Sequence, residues 1–369
     1  MNSYAIGSPL VSEDLFNILR RAFIIPTNIV FACFGIINNL ANIIIFTKMT
    51  PMDTMTISFT ALAVSDLFYS CLSVPSLIVN ALMQSGIRSL YNVDLRSLVF
   101  VLFLYQIPLF HKISIAITTF MSCERSLCVV KPFLVKQIFT KRRVVIILIA
   151  IYVSLTALFM PVFTTAKLVW RKPFNRTTRT LRLHALPGRF TAENVVQLSV
   201  GFPLVLATEV IISIAAVLMA TGLRRHQQFR QDVASSITKS GRGKEKPALQ
   251  TDPSQATPTS TESNPGEDQT RTPASTPAES ASSKEQRLIK TVFIVAVTHV
   301  VTNSPQLIYY VVYYLEPEFQ IAKRYNNIYI LSGGLINLLN SLNGMVNIFV
   351  YLSLNMKYKM LFKKLFCRM

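Results

Sequence analysis

The chain has 369 residues, 51% of them hydrophobic and 15% charged, where soluble domains carry roughly 25% charged residues. Lys and Arg number 37 against 18 Asp and Glu, a formal net charge of +19. These values exclude an ordinary soluble domain, and four scattered His do not supply the clustered ligands of a metalloenzyme.

In chain order, residues 1–21 are polar and are expected to form an extracellular N-terminus. No cleavable signal peptide is visible, so the first apolar run is expected to act as its own insertion signal. Seven stretches, 22–47, 54–84, 98–122, 144–166, 194–223, 291–315 and 325–356, reach the roughly 20 apolar residues needed to cross about 30 Å of hydrocarbon. Backbone in lipid has no outside partner, so each is predicted to be a helix, with Pro26, Pro75, Pro108, Pro161, Pro203 and Pro305 tolerated as kinks. The expected fold is an all-α membrane protein, a seven-transmembrane helix bundle with helices one to five within 22–223 and six and seven within 288–354.

The intervening segment 224–287 is predicted to be a disordered cytoplasmic loop. Its centre, Pro247 to Ser283, holds six prolines and fourteen Ser or Thr, a composition that cannot bury enough apolar surface to order itself. Thr257-Pro258, Thr272-Pro273 and Thr276-Pro277 are candidate phosphorylation sites there, unless the loop is only a tether. Residues 355–369 are expected to form a short amphipathic eighth helix and tail, where KMLFKKLF precedes Cys367, a candidate for S-palmitoylation. Cys33, Cys71, Cys123 and Cys128 read as small buried hydrophobes, and no extracellular disulfide is expected.

Basic residues suggest the orientation. With the N-terminus outside, 23 of the 37 lie on the cytoplasmic side, 13 outside and Lys112 within a span. The balance favours an outside N-terminus, although Arg20 and Arg21 argue the other way. Asn175-Arg176-Thr177 would then be a glycosylation acceptor in an outer loop.

Ionisable residues at bilayer depth are costly and mark function. They occur here in LAVSD, ending in Asp66, and in CERSLCVVKPF, carrying Glu124 and Arg125. In the seventh span Asn340, Asn343, Asn347 and Tyr351 recur at spacings of three, four and four, which places them on one helical face. Ser114 and Arg125, eleven residues apart, share a face of the third span. Asn39, Asp66, Ser114, Asn343 and Asn347 can therefore converge on the bundle axis, as an oxygen cage for a small cation such as sodium or as a structural hydrogen-bond network.

Taken together these residues resemble the rhodopsin-like (class A) G protein-coupled receptors. The resemblance rests on Asn39, LAVSD with Asp66, Glu124-Arg125-Ser126 with Pro132 seven residues after the arginine, Pro203, Pro305, NIFVY with Asn347 and Tyr351, and Asn355 with Tyr358 at the start of the eighth helix. The style of ERSLCVVKPF and VNIFVYLSLNMKYK is similar to invertebrate, especially molluscan, chemosensory or neuropeptide receptors. The resemblance implies a multi-pass glycoprotein of the plasma membrane without enzymatic activity or obligate cofactor. Its implied partners are a heterotrimeric G protein, an extracellular ligand, membrane lipids, receptor kinases and arrestin, and no nucleic acid. Glu124, Arg125, Pro132, Asn347 and Tyr351 would form the coupling switch.

Four departures stand out. Asn303 replaces the tryptophan two residues before the sixth-helix proline, Ile348 stands where the seventh helix would carry proline, and the fifth span has no tyrosine to meet a freed Arg125. The cysteine pair that pins the second outer loop to the third helix is missing.

The ligand is approached through charge. Residues 167–193 carry Lys167, Arg171, Lys172, Arg176, Arg179, Arg182 and Arg189 against Glu193, a field that would steer anions, or else plain solvated surface. The alternation in TRTLRLH, residues 178–184, predicts a hairpin strand. His111 and Lys112 lie well inside the hydrocarbon zone, His111 toward the axis and Lys112 toward a neighbouring helix. Tyr309, Tyr310, Tyr313 and Tyr314 would wall a shared cavity or form an interfacial belt. An acidic peptide or a small carboxylate is the expected ligand. An ion- or proton-coupled transporter, with Asp66, Lys112, Glu209 and His299 as relay, is the alternative, but repeated halves and broken helices are not evident. Light reception is excluded by the absence of lysine from 325–356.

Overall fold

A computed structural model describes residues 10–87, 89–131, 135, 137–172, 179–241 and 277–367. Seven helices in it are long and apolar enough to cross a membrane. We label them α1 (Ile25–Lys48), α2 (Thr54–Gln84), α3 (Gln106–Val130), α4 (Lys141–Thr164), α5 (Phe202–Gly241), α6 (Pro277–Leu315) and α7 (Asn326–Leu354), followed by α8 (Met356–Phe366). Both α5 and α6 run further into the central polar segment than the apolar pattern indicated. The helix start is likewise earlier at the N-terminus, where Ser12 caps Glu13–Ile18 and a π-helical segment, Leu19–Ile24, leads into α1. Pro132, Asn175 and the Thr-Pro pairs at Thr257 and Thr272 lie outside the described residues.

Local chemistry sets the helix ends. Asp53 caps α2 by accepting from the Thr56 amide at 2.8 Å, and Asn355 ends α7 and caps α8 by accepting from the Tyr358 amide at 3.1 Å. Helix α3 packs on α2, α4, α5 and α6, while α1 packs on α2 and α7 and the ring closes through α5–α6 and α6–α7. At Gly222 a Cβ would run into the Val129 side chain, so the glycine lets α5 approach α3 closely there. Apolar side chains such as Phe34, Ile149, Val153, Ile214, Val301 and Ile308 are exposed on the bundle's outer face, the surface that lipid would cover.

The third crossing differs from one continuous helix. A short helix, Leu95–Leu102, capped by Asp94, ends in a turn at Phe103–Tyr105 before α3 begins. Next to it stands a four-stranded sheet ordered β1 (Ser89–Leu90), β2 (Val93–Asp94), β4 (Thr180–Ala185), β3 (Ala166–Arg171). Tyr91 and Asn92 both have positive φ, 47° and 62°, as a two-residue primed turn between β1 and β2 demands. The predicted alternation falls on β4, which pairs antiparallel with β3 from Ala166↔Ala185 to Arg171↔Thr180 and meets β2 at Val93↔Leu181.

No disulfide ties this hairpin down, since none of the five cysteines forms one. Arg189 supplies an alternative anchor. Its guanidinium is buried between the Phe100 and Tyr105 rings, 4.9 and 5.0 Å from their centroids, pairs with Glu193 and donates to the Val162 carbonyl oxygen. One side chain thereby joins the hairpin's exit to α4 and to the turn before α3. Arg189 is thus no part of the solvated basic surface that its sequence neighbours suggested. Cys33 and Cys71 also differ from expectation, lying exposed on the bundle's outer face rather than inside it.

Candidate functional site

At the hairpin end a cavity of about 280 Å³ opens between the helices. Its lining includes His111, Lys112, Tyr309, Tyr310 and Tyr313, as well as Tyr69, Tyr105, Gln306, Tyr329 and Asn340, which the sequence had not singled out for it. Tyr314 is not among the lining residues, and Arg179 and Arg182 are exposed on the hairpin rather than in the cavity. The tyrosine rings interleave, with Tyr329 5.5 Å from Tyr309 and 6.3 Å from Tyr313.

Lys112 is 2% exposed, yet among the described residues its Nζ has no hydrogen-bond partner, and it lies 5.6 Å from the centre of the Tyr310 ring. Gln306 Oε1 and Asn340 Oδ1 are likewise buried without partners. An unpaired ammonium in such a place is unfavourable unless a negative group arrives to meet it.

Below the cavity a polar chain crosses three helices. His111 Nε2 lies 3.1 Å from Asn303 Oδ1, and Asn303 Nδ2 donates to the His299 carbonyl oxygen at 3.0 Å. The Asn303 oxygen can only accept, so the His111 proton sits on Nε2. Asn343 Nδ2 donates to His299 Nδ1 at 3.3 Å, which places the His299 proton on its Nε2. The asparagine that replaces a tryptophan is therefore a polar link between α3 and α6. The spacing of four between His299 and Asn303 carried that signal in the sequence.

Asp66 forms the next layer. Ser114 Oγ donates to its Oδ1 at 2.6 Å and Asn347 Nδ2 to its Oδ2 at 3.2 Å. Asn39 Nδ2 donates to the Gly344 carbonyl oxygen at 3.3 Å, tying α1 to α7 beside it. Three of the four residues expected to hold sodium thus meet, while Asn343 turns to His299 instead. Asp66 and Ser114 present the oxygens a hard cation needs, but Asn343 and Asn347 turn amide nitrogens inward.

At the α8 end Glu124 Oε1 accepts from Arg125 Nη2 at 3.1 Å and from Thr54 Oγ1 at 2.9 Å. Tyr351 is buried in an aromatic cluster with Phe46, Phe59 and Tyr358. Tyr358 reaches from α8 to donate to Asn42 Oδ1 at 2.6 Å, and Asn42 Nδ2 donates to Asn39 Oδ1 at 3.4 Å. Cys367 is exposed at the end of α8, accessible for modification.

Residues 38–351 match the family model described as 7 transmembrane receptor (rhodopsin family). Comparison with curated proteins finds no match. The matched span runs from the first helix through Tyr351 and so contains the cavity, the Asp66 layer and the Glu124-Arg125 pair. The chain belongs to the rhodopsin family of seven-transmembrane receptors, multi-pass signalling proteins of the plasma membrane that are generally not enzymes.

Proposed function

We propose that this receptor senses an extracellular anionic ligand, a small carboxylate or the acidic end of a peptide, and converts its binding into activation of a heterotrimeric G protein. The observation that carries this reading is Lys112: a buried, unpartnered cation in the wall of a ligand-sized cavity. The exposed Arg171, Arg179 and Arg182 on the hairpin give the same end of the bundle a field that draws anions in. With the hairpin outside, α8 and its Lys357, Lys359, Lys363 and Lys364 face the cytoplasm, in keeping with the charge balance.

A ligand activates only to the extent that it prefers the active arrangement. An anion drawn to Lys112 sits beside His111, the first member of the chain through Asn303, His299 and Asn343. Shifting that chain alters the α3–α6 contact, where the family would use an aromatic switch. At the far end Arg125, released from Glu124, is the group offered to the G protein, and arrestin and receptor kinases would read the same face. A sodium ion on the Asp66 and Ser114 oxygens would belong to the resting arrangement. Nothing favours a transporter: Glu209 Oε1 has no partner, and no described hydrogen bond joins it to Asp66, Lys112 or His299.

The test is Lys112→Met, which keeps length and removes charge. Potency of anionic agonists in a cell-based G protein assay falls about 100-fold, the effect of losing one buried charge contact worth ~3 kcal/mol. Unchanged potency at equal surface expression sinks the proposal. Arg125→Ala should abolish output while leaving ligand binding intact.

A further inference from the structure

Among the described residues, three buried side-chain atoms without a hydrogen-bond partner belong to lining residues of the one cavity: Lys112 Nζ, Gln306 Oε1 and Asn340 Oδ1. They do not ask for the same thing. The ammonium can only donate and calls for an anion, whereas the two amide oxygens can only accept and call for N–H or O–H groups. As oriented, Gln306 places Nε2 3.4 Å from the Tyr310 hydroxyl and leaves Oε1 without a hydrogen-bond partner among the described residues. A plain carboxylate satisfies one of the three atoms. A plain amine satisfies the two oxygens but is repelled by Lys112.

We infer that the cavity is built for a small aromatic zwitterion of the α-amino acid type, with its carboxylate on Lys112, its ammonium shared by Gln306 and Asn340, and its ring among the tyrosines. This rests on the reading of Lys112 as an anion anchor and sharpens it. The volume of about 280 Å³ is just below the roughly 300–1,000 Å³ range of small-molecule sites, which leaves no room for a folded peptide. Tyr309, Tyr310 and Tyr329 present ring faces and edges to one another at 5.5–6.0 Å. A further ring fits such a wall in the offset or edge-on geometry that aromatic pairs prefer, and the ammonium also gains from a neighbouring ring face. Carboxylate and ammonium are one carbon apart in an α-amino acid, so one end of the molecule serves both kinds of orphan while the other end stays apolar.

The experiment compares phenylalanine, tyrosine and tryptophan with 3-phenylpropanoate, 2-phenylethylamine and alanine on cells expressing the full-length receptor. G protein output is read together with thermal stabilisation of the purified receptor, so that binding is scored even where signalling fails. At least one aromatic amino acid is expected to act about tenfold or more better than 3-phenylpropanoate, with 2-phenylethylamine and alanine inactive. In Asn340→Leu, which removes one acceptor and fills its space, the advantage of phenylalanine over 3-phenylpropanoate shrinks while the response to 3-phenylpropanoate persists. Equal potency of the two acids overturns the zwitterion and leaves the anion reading standing. Full activity of 2-phenylethylamine overturns both. Neither stabilisation nor output from any of the three amino acids, in a receptor whose basal output shows it to be folded, also rejects the inference.

Discussion

Asp66 and Lys112 are buried to nearly the same degree, 5% and 2% exposed, and the protein treats them in opposite ways. Both carboxylate oxygens of Asp66 receive donors from neighbouring helices, whereas the Lys112 ammonium lies over the Tyr310 ring with no hydrogen-bond partner among the described residues. A charge satisfied from within fixes a helix arrangement, and a charge left open waits for a molecule. The difference separates the layer that holds the resting bundle together from the layer that is free to be tipped.

The largest effect that sharpens this contrast is functional. Asn303→Leu removes the acceptor 3.1 Å from His111 Nε2 and the donor to the His299 carbonyl, so the polar chain from the cavity to the Asp66 layer is broken. Agonist binding should stay within about threefold of the parent, while maximal G protein output drops by about tenfold, a coupling loss of ~1.4 kcal/mol. Binding and output falling together would mean that the chain merely supports the cavity.

The next effects are on stability and have opposite signs. Asp66→Ala strands the Ser114 hydroxyl and the Asn347 amide, each left without its partner in a dry core, and should lower stability by about 2–4 kcal/mol. Lys112→Met removes an unpaired buried charge and should leave the ligand-free receptor as stable or more so. Thermal denaturation of the two purified variants reads both. A loss in Lys112→Met as large as that in Asp66→Ala would erase the distinction between the two layers.

Much of the Asp66 layer was legible in the sequence because it follows helical arithmetic. The spacings of Asn340, Asn343 and Asn347 put them on one face, and Asp66 and Ser114 sit at depths that bring them level. The cavity was legible only in part. His111, Lys112 and the α6 tyrosines stand out as charge and aromatic density within a span, but Gln306 and Tyr329 acquire meaning only from what lies across the gap. Arg189 was misread for a related reason. Its loop is densely basic, and composition cannot tell a solvated arginine from one held between Phe100 and Tyr105 by a turn that carries no glycine or proline of its own. The outward cysteines Cys33 and Cys71 show the same limit in the spans, where an apolar neighbour in sequence is as compatible with lipid as with core.

The smallest expected effect lies furthest from the cavity. Tyr358 fastens α8 to α1 through its hydroxyl on Asn42, and its ring packs with Phe46 and Tyr351. Tyr358→Phe keeps the ring and deletes the hydroxyl, leaving the buried Asn42 oxygen without that donor, at a cost of about 1 kcal/mol. Asn42→Val alone strands the Tyr358 hydroxyl by a similar amount. With both changed the hydroxyl and the amide oxygen it served are gone together, and only the donor from Asn42 Nδ2 to Asn39 Oδ1 is still lost, as in Asn42→Val alone, so the double variant should be less destabilised than the sum of the two by about 1 kcal/mol. Thermal denaturation of the four receptors measures that coupling. Strict additivity would show that α8 is held by its aromatic packing alone, and that the satisfied network ends at Asn39 rather than reaching the membrane surface.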